Sequence, residues 1–276
     1  MGVSRWGAAL LAAISIMGSG QARESITWIT IDLPPATIFD GPMAGKGFGD
    51  QQLRILFAAL PDYDHQIIRG TIARGWHELE TRDGLCINWV SRSSGKHWYA
   101  LFSKRPVPNP GYRLLIKSSR MTEFLPYGRT GEIDLDLVGR NDALSGAFIA
   151  SRDYLAPIND FIKAGDIRLQ QAMNTQQLVE LLHADRVDFI FATPFEVAFY
   201  KDQLHLQDQF VPFRIKGGPP FNEGYIACSS GPVGRAVLDK IDAYLQTPDG
   251  WAAYVAPLQR WLDPADFAFA QAGKSR

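Results

Sequence analysis

Ile26-Thr27-Trp28-Ile29-Thr30-Ile31-Asp32 is the stretch that decides the fold class of this chain. Its β-branched residues predict a strand, and Leu33-Pro34-Pro35 ends that strand because proline cannot extend a ladder of backbone hydrogen bonds. A glycine-rich loop over residues 41–49 follows. Asp50 is typical of a helix N-cap, and an apolar stripe predicts a helix through Leu60. A strand, a loop and an amphipathic helix together form the beginning of an α/β unit.

The same alternation continues along the chain and then starts again. Strands are expected over residues 65–73 and 85–90, with a helix over 75–82 between them. A second set of strands follows at residues 113–118, 145–149, 167–173 and 187–192, separated by helices. A strand at 224–229 and two amphipathic helices, 233–245 and 250–262, finish the chain. The pattern predicts two α/β units with parallel strands, the second inserted into the first.

The first 22 residues have the three-part layout of a secretory signal. A short start carries one positive charge at Arg5, an apolar run covers Gly7 to Met17, and Gly20-Gln21-Ala22 provides small residues for a signal peptidase. The alternative is a membrane anchor, but a spanning helix needs roughly 20 apolar residues. We therefore expect cleavage after Ala22 and a mature protein that works in the periplasm.

Composition narrows the classes of function. The formal net charge is −1 at pH 7, and no basic stripe of the kind that binds nucleic acid is present. The histidines are scattered, and neither a His-Glu-x-x-His zinc motif nor a Gly-x-Ser-x-Gly nucleophile elbow occurs. The sequence therefore predicts a protein that is not an enzyme, although a catalytic pair assembled only by folding stays an alternative. No cofactor or metal is expected.

Two cysteines, Cys86 and Cys228, leave two alternatives open at the level of sequence. In an oxidising compartment such a pair can form a disulfide. Alternatively, each is a buried thiol that behaves as a small apolar residue.

The order of several motifs resembles the amino-acid type of periplasmic solute-binding proteins, extracellular family 3. The match begins with Asp32-Leu33-Pro34-Pro35 and Gly47-Phe48-Gly49-Asp50. It continues with Ser93-Ser94-Gly95-Lys96, which leads into Phe102-Ser103-Lys104-Arg105-Pro106. In the second unit, Ser151-Arg152-Asp153-Tyr154 and Arg186-Val187-Asp188-Phe189 fit the strand-to-helix turns of that family.

The resemblance implies an α/β, two-lobed type II periplasmic-binding fold, with the second lobe inserted into the first through two crossover segments that form a hinge. Residues 1–22 would be the signal peptide. Residues 23–118 plus 218–276 would form lobe one, and residues 119–217 lobe two. It also implies a monomer that binds a small-molecule ligand and works with a membrane permease of an ABC-type transporter. A membrane sensor is the alternative partner, and a dehydratase-like enzyme is a more distant alternative.

The resemblance further implies a ligand site in the cleft between the lobes. In open α/β sheets, ligands bind beyond the carboxyl ends of the strands, where helix N-termini favour anions. The basic residues there predict an anionic or carboxylate-bearing ligand. The candidate ligand-binding residues are Asp32, Trp89, Ser93, Lys96, Ser151, Arg152 and Thr193.

Two positions depart from the family pattern. Lys96 stands where the family has an arginine that clamps a carboxylate, and lysine lacks the two-pronged guanidinium. Thr193 stands where the family has an acidic residue for the ligand's amino group, and Glu196 could replace it. Other roles also stay open: Lys96 and Arg152 as solvated surface charges, Asp32 as a turn residue, and Trp89 as part of the core.

The type II architecture also implies a partner for each cysteine. Its re-entering strand inserts next to the third strand of lobe one. Cys86 lies on the predicted third strand and Cys228 on the predicted re-entering strand. The resemblance therefore implies a Cys86–Cys228 disulfide, provided that the two strands are in register.

Overall fold

The computed structural model describes residues 23–92, 98–129 and 131–273, and it contains two separate β-sheets. The predicted signal peptide lies outside the described residues. The fold is α/β and two-lobed, as predicted. Lobe one is the part of the chain that carries the first sheet, and lobe two is the part that carries the second.

The first sheet contains strands from both ends of the described chain, which is why lobe two is an insertion. Its order is β2-β1-β3-β13-β4, with β5 also paired to β13. The first three strands in the chain are parallel, and β13 is antiparallel to its neighbours. The strands are β1 (Glu24–Ile31), β2 (Tyr63–Gly70), β3 (Leu85–Val90), β4 (Ala100–Phe102), β5 (Val107–Pro110) and β13 (Phe221–Ser229).

The second sheet has the order β10-β9-β11-β6-β12-β8-β7. Strands β9, β10 and β11 are parallel, and β6 pairs antiparallel with β11 and β12. The strands are β6 (Arg113–Lys117), β7 (Gly128–Arg129), β8 (Glu132–Ile133), β9 (Ser145–Ile149), β10 (Arg168–Ala172), β11 (Phe189–Ala192) and β12 (Phe210–Ile215).

Helices flank both sheets. Those of lobe one are α1 (Phe48–Ala59), α2 (Ile72–Thr81), α8 (Pro232–Gln246), α9 (Pro248–Val255) and α10 (Pro264–Ala272). Those of lobe two are α3 (Met121–Phe124), α4 (Leu135–Gly139), α5 (Ile158–Ala164), α6 (Thr175–His183) and α7 (Pro194–Gln203). No helix in the described ranges is long and apolar enough to cross a membrane.

The predicted lobe boundary after Ser118 requires a correction. It assigned the strand at 113–118 to lobe one, whereas β6 pairs within the second sheet. The residue pattern of a short apolar strand predicts the strand but does not say which sheet it joins. The first crossover therefore lies between β5 and β6, and the second lies between β12 and β13.

The two crossover segments touch each other. The Gly111 amide donates to the Pro220 carbonyl at 3.1 Å. The buried Arg113 guanidinium donates to the carbonyls of Gly111 and Pro220, at 2.9 Å each. A side chain at Gly111 would place its Cβ 2.6 Å from the Pro219 carbonyl oxygen. Glycine therefore allows this close approach of the segments that join the lobes.

The predicted disulfide is confirmed. Cys86 and Cys228 are bonded to each other, both are fully buried, and their Cα atoms lie 4.1 Å apart. They are direct partners in the antiparallel register of β3 and β13. The bond sits in the main core of lobe one, together with Trp28, Phe48 and Tyr254.

Candidate functional site

A buried ion pair joins two elements at the carboxyl ends of the parallel strands in lobe two. Arg152 lies just after β9, and Glu196 lies in the first turn of α7, which follows β11. The Arg152 guanidinium donates from one nitrogen to Glu196 Oε1 at 2.8 Å and from the other to Oε2 at 3.1 Å. Only 14% of the Arg152 side chain and 5% of the Glu196 side chain are exposed. This two-pronged geometry is the strongest that an arginine forms with a carboxylate.

Hydroxyl groups complete the network around Glu196. Thr193, which precedes α7, donates to Glu196 Oε2 from its hydroxyl at 2.7 Å and from its amide at 3.2 Å. Thr175, the first residue of α6, donates its hydroxyl to Oε1 at 3.3 Å. The Thr175 hydroxyl also accepts from Arg152 at 3.3 Å. Both threonines are almost completely buried.

Aromatic rings enclose the same guanidinium. The Arg152 carbon Cζ lies 5.6 Å from the ring centre of Tyr112 and 6.0 Å from that of Tyr154. Burial by itself would lower the pKa of Arg152, but the Glu196 charge raises it above its ordinary value. Burial also raises the pKa of Tyr154, to about 12, although Arg152 opposes that shift. Arg152 is therefore not the solvated surface charge that the sequence left as an alternative.

Helix α7, which carries Glu196, packs against lobe one through aromatic rings. The Phe195 ring contacts that of Phe48, with centroids 6.0 Å apart, and the Phe199 ring lies 5.9 Å from that of Trp261. Tyr200, on the same helix, has its pKa raised to about 12 by burial, by Glu196 and then by Asp32 of lobe one. The first turn of α7 therefore lies where the two lobes meet.

Two predicted site residues of lobe one have partners within their own lobe. Asp32 is exposed at the end of β1 and accepts from the Phe39 amide at 3.1 Å, as a turn residue does. The Trp89 indole donates to Gln52, and its ring packs edge-on against Phe48 at 4.8 Å. Trp89 thus supports the aromatic contact between the lobes through Phe48.

The remaining predicted residues divide into two groups. Ser151 is exposed in the turn after β9, directly before Arg152. Ser93 and Lys96 lie outside the described residues. The structure therefore brings Arg152 and Thr193 together, places Asp32 and Trp89 on the other lobe, and gives no placement for Ser93 and Lys96.

Sequence reasoning missed part of this site. Glu196 entered only as a replacement for an acidic residue, and Thr175 was not among the predicted site residues. Tyr112, Phe48 and Phe195 were not predicted to belong to the site. A threonine, a proline and a glutamate at 193, 194 and 196 are a helix-start signal, and that signal could have identified the Thr193–Glu196 contact.

A cavity of about 180 Å³ also lies within lobe one, beside α1 and β2. Arg54, Arg69 and Asp50 are among its lining residues. Burial raises the pKa of Asp50, and hydrogen bonds from the Ile38 and Gly47 amides oppose that shift. None of the predicted ligand-binding residues lines this cavity. Across the parts of the chain that the structure describes, no group of three or more His, Cys, Asp or Glu side chains could hold a metal ion.

Comparison with known proteins identifies the fold. No protein-family model and no curated protein sequence matches the chain. A probable amino-acid ABC transporter extracellular-binding protein from Bacillus subtilis superimposes with a TM-score of 0.67 at 13% identity, over 88% of this chain and 99% of that one. An ancestral amino-acid-binding protein, a precursor of cyclohexadienyl dehydratase, superimposes with a TM-score of 0.64 at 13% identity. The match covers 87% of this chain and 96% of that one.

A periplasmic domain is also similar. The VFT2 domain of Bordetella pertussis BvgS gives a TM-score of 0.58 at 15% identity, over 87% of this chain and 93% of that one. Together these likenesses establish the type II periplasmic-binding fold. At such low identity they establish the fold alone.

Proposed function

We propose that this chain is a divergent solute-binding protein of the amino-acid type, which captures a small carboxylate-bearing molecule between its lobes. The observation that carries the proposal is the meeting of Arg152, Thr175 and Thr193 at the starts of α6 and α7, near the contact of Phe195 with lobe one. In α/β sheets this edge is where ligands bind. Two amino-acid transport proteins of the same fold, each matched over 88% of this chain, support the assignment.

The proposal divides recognition of the ligand between the lobes. The positive charge of Arg152 is already matched by Glu196, so the proposal assigns the ligand's acid group to Lys96 and Ser93. Asp32 and Trp89 complete the lobe-one side. Ser151, Arg152 and Thr193 meet the remainder of the ligand, to which the helix N-termini offer backbone N–H groups.

A binding screen tests this function. Thermal unfolding with small carboxylic acids, amino acids and short peptides should identify a ligand that raises the Tm, and titration calorimetry then gives its Kd. Lys96→Ala should weaken that ligand by about 10- to 150-fold, since a hydrogen bond to a charged group contributes ~1.5–3 kcal/mol. Lys163→Ala, which removes an exposed lysine from α5, is the control. A screen in which no small solute binds would defeat the proposal.

The proposed location is the periplasm, and the proposed partner is the permease of an ABC-type transporter. We propose that the 22-residue leader is removed after Ala22 and that the mature protein acts as a monomer. Mass spectrometry of protein recovered from the periplasm tests the cleavage, and light scattering tests the monomer. Deletion of the gene should abolish uptake of the identified ligand.

A second candidate is a ligand-sensing module for a membrane receptor. The likeness to the BvgS periplasmic domain favours it, because this fold also occurs there. The deletion strain separates the two roles. Normal uptake together with a lost response to the ligand would favour sensing. A dehydratase-like activity is the third alternative, tested by incubating each identified ligand with the protein and following its NMR spectrum for turnover.

A further inference from the structure

Glu196 already occupies the place that a ligand's acidic group would take on Arg152. Its two carboxylate oxygens accept from two guanidinium nitrogens. A second acidic group from the ligand could reach that edge of Arg152 only by displacing Glu196. The charge of Arg152 is therefore already matched by a carboxylate of the protein itself.

Displacing Glu196 would be unfavourable for a second reason. Its oxygens also accept from the Thr193 hydroxyl, the Thr193 amide and the Thr175 hydroxyl. Only 5% of its side chain is exposed, so it makes these contacts almost out of reach of water. A buried charge without its partner is strongly unfavourable.

From this geometry we propose that Glu196 determines ligand specificity by acting as an internal carboxylate. It makes the lobe-two side of the cleft electrically neutral, so the protein selects ligands with one acidic group and rejects those with two. The inference deepens the proposed function and rests on it. Glu196 is here a positioning residue, because it acts through Arg152.

A purely structural role for the pair predicts a different result. If Glu196 only joined α7 to the turn after β9, its removal would lower the Tm and change the affinity for all ligands alike. If it sets the accepted charge, its removal changes the ratio of affinities for two molecules that differ only in charge. Succinate and succinamate are such a pair, with two acidic groups and one.

The experiment measures both Kd values for the wild type, Glu196→Gln and the double variant Arg152→Gln/Glu196→Gln. In Glu196→Gln the affinity for succinate relative to succinamate should rise by about 10- to 150-fold, because Arg152 becomes free to form a charge-assisted contact. Succinate should also raise the Tm of that variant. The double variant should not show this gain in affinity for succinate, because it has no Arg152 guanidinium to contact the second acidic group.

Three results would overturn the inference. One is a folded Glu196→Gln protein whose ratio is unchanged, and another is a gain that persists in the double variant. The third is failure of both Glu196→Gln and Glu196→Ala to fold, which would make Glu196 a requirement of lobe two itself. Failure of the proposed function would give a different result, because then no small solute would bind the wild type. The inference is tested separately, by the gain in affinity for succinate that is measured on Glu196→Gln.

Discussion

The ring of Phe48 in lobe one contacts the ring of Phe195 in lobe two, with centroids 6.0 Å apart and planes at 81°. This edge-to-face contact joins α1 to α7 beside the proposed ligand site. An aromatic pair of this kind contributes about 0.5–1.5 kcal/mol beyond the area that it buries. It therefore favours the arrangement in which the lobes touch.

Phe195→Ala should shift the equilibrium between separated and touching lobes by about 2- to 12-fold toward separation. Small-angle X-ray scattering of the unliganded protein would show a larger radius of gyration. Phe102→Ala is a matched control, because the Phe102 ring contacts those of Trp76 and Tyr225, which both belong to lobe one. Identical scattering from Phe195→Ala and the wild type would contradict the prediction.

Reduction of the Cys86–Cys228 bond should destabilise lobe one. The bond closes a loop across a sequence separation of 142 residues, and loss of such a link costs about 2–5 kcal/mol. Chemical denaturation with and without reductant gives the difference, and the variant Cys86→Ala/Cys228→Ala provides the baseline. The reductant should have no effect on that variant. Equal denaturation midpoints of the oxidised and reduced wild type would disprove the claim.

Gly111→Ala should disturb the hinge. The added Cβ would lie 2.6 Å from the Pro219 carbonyl oxygen, so the crossover segments must separate, at a cost of about 1–3 kcal/mol. Gly70→Ala is the control, since its Cβ would meet the nearest atom, in the Ile29 side chain, at an ordinary 3.4 Å. Urea denaturation measures both variants. The prediction is wrong if Gly111→Ala is as stable as Gly70→Ala.

The carboxylate of Asp83 should make the stability of the protein depend on pH. Burial acts to raise its pKa, but hydrogen bonds from the Gly234, Val233 and Gly84 amides lower it below 3.8 overall. A lowered folded-state pKa means that the carboxylate contributes stability above pH 3.8 and loses it as the pH falls through the folded-state pKa.

Two of these amides, of Val233 and Gly234, lie in the first turn of α8, so the Asp83 carboxylate acts as a side-chain cap of that helix. Asp83→Ala should therefore lower the free energy of unfolding by about 0.5–2 kcal/mol at neutral pH, as loss of a helix cap does. The difference from the wild type should shrink as the pH falls below 3.8. Thermal unfolding across that range measures it, with Asp142→Ala as a control in an exposed turn of lobe two. A difference that is independent of pH would show that the charge of Asp83 is not involved.

The strong local patterns predicted much of the fold. Strand β3 has its predicted limits, Leu85–Val90, and β1 differs from its prediction by two residues at its start and one at its end. Asp50 was predicted as the cap of α1, but the helix begins at Phe48 and the Asp50 carboxylate accepts from the Gly47 amide at 3.0 Å. Cap and first-turn positions favour the same residue types, so the predicted start lies three residues after the observed one.

Elements that depend on tertiary contacts were missed. Strand β4 has three residues and β5 contains two prolines, and both become strands by pairing with β13. Helix α10 was also missed, although Asp263 before Pro264 is a recognisable helix start. In the site, Arg152 and Glu196 are 44 positions apart, and only the folded sheet shows that one neutralises the other.

The disulfide also closes the chain between Cys86 and Cys228 into a covalent ring that contains the whole of lobe two. Every strand of the second sheet lies between Cys86 and Cys228. A protease that cuts the chain once inside lobe two therefore leaves both parts of lobe one covalently joined. A nicked protein would keep its full mass until it is reduced. In an environment where proteases attack exposed loops, such a cut would not release a fragment.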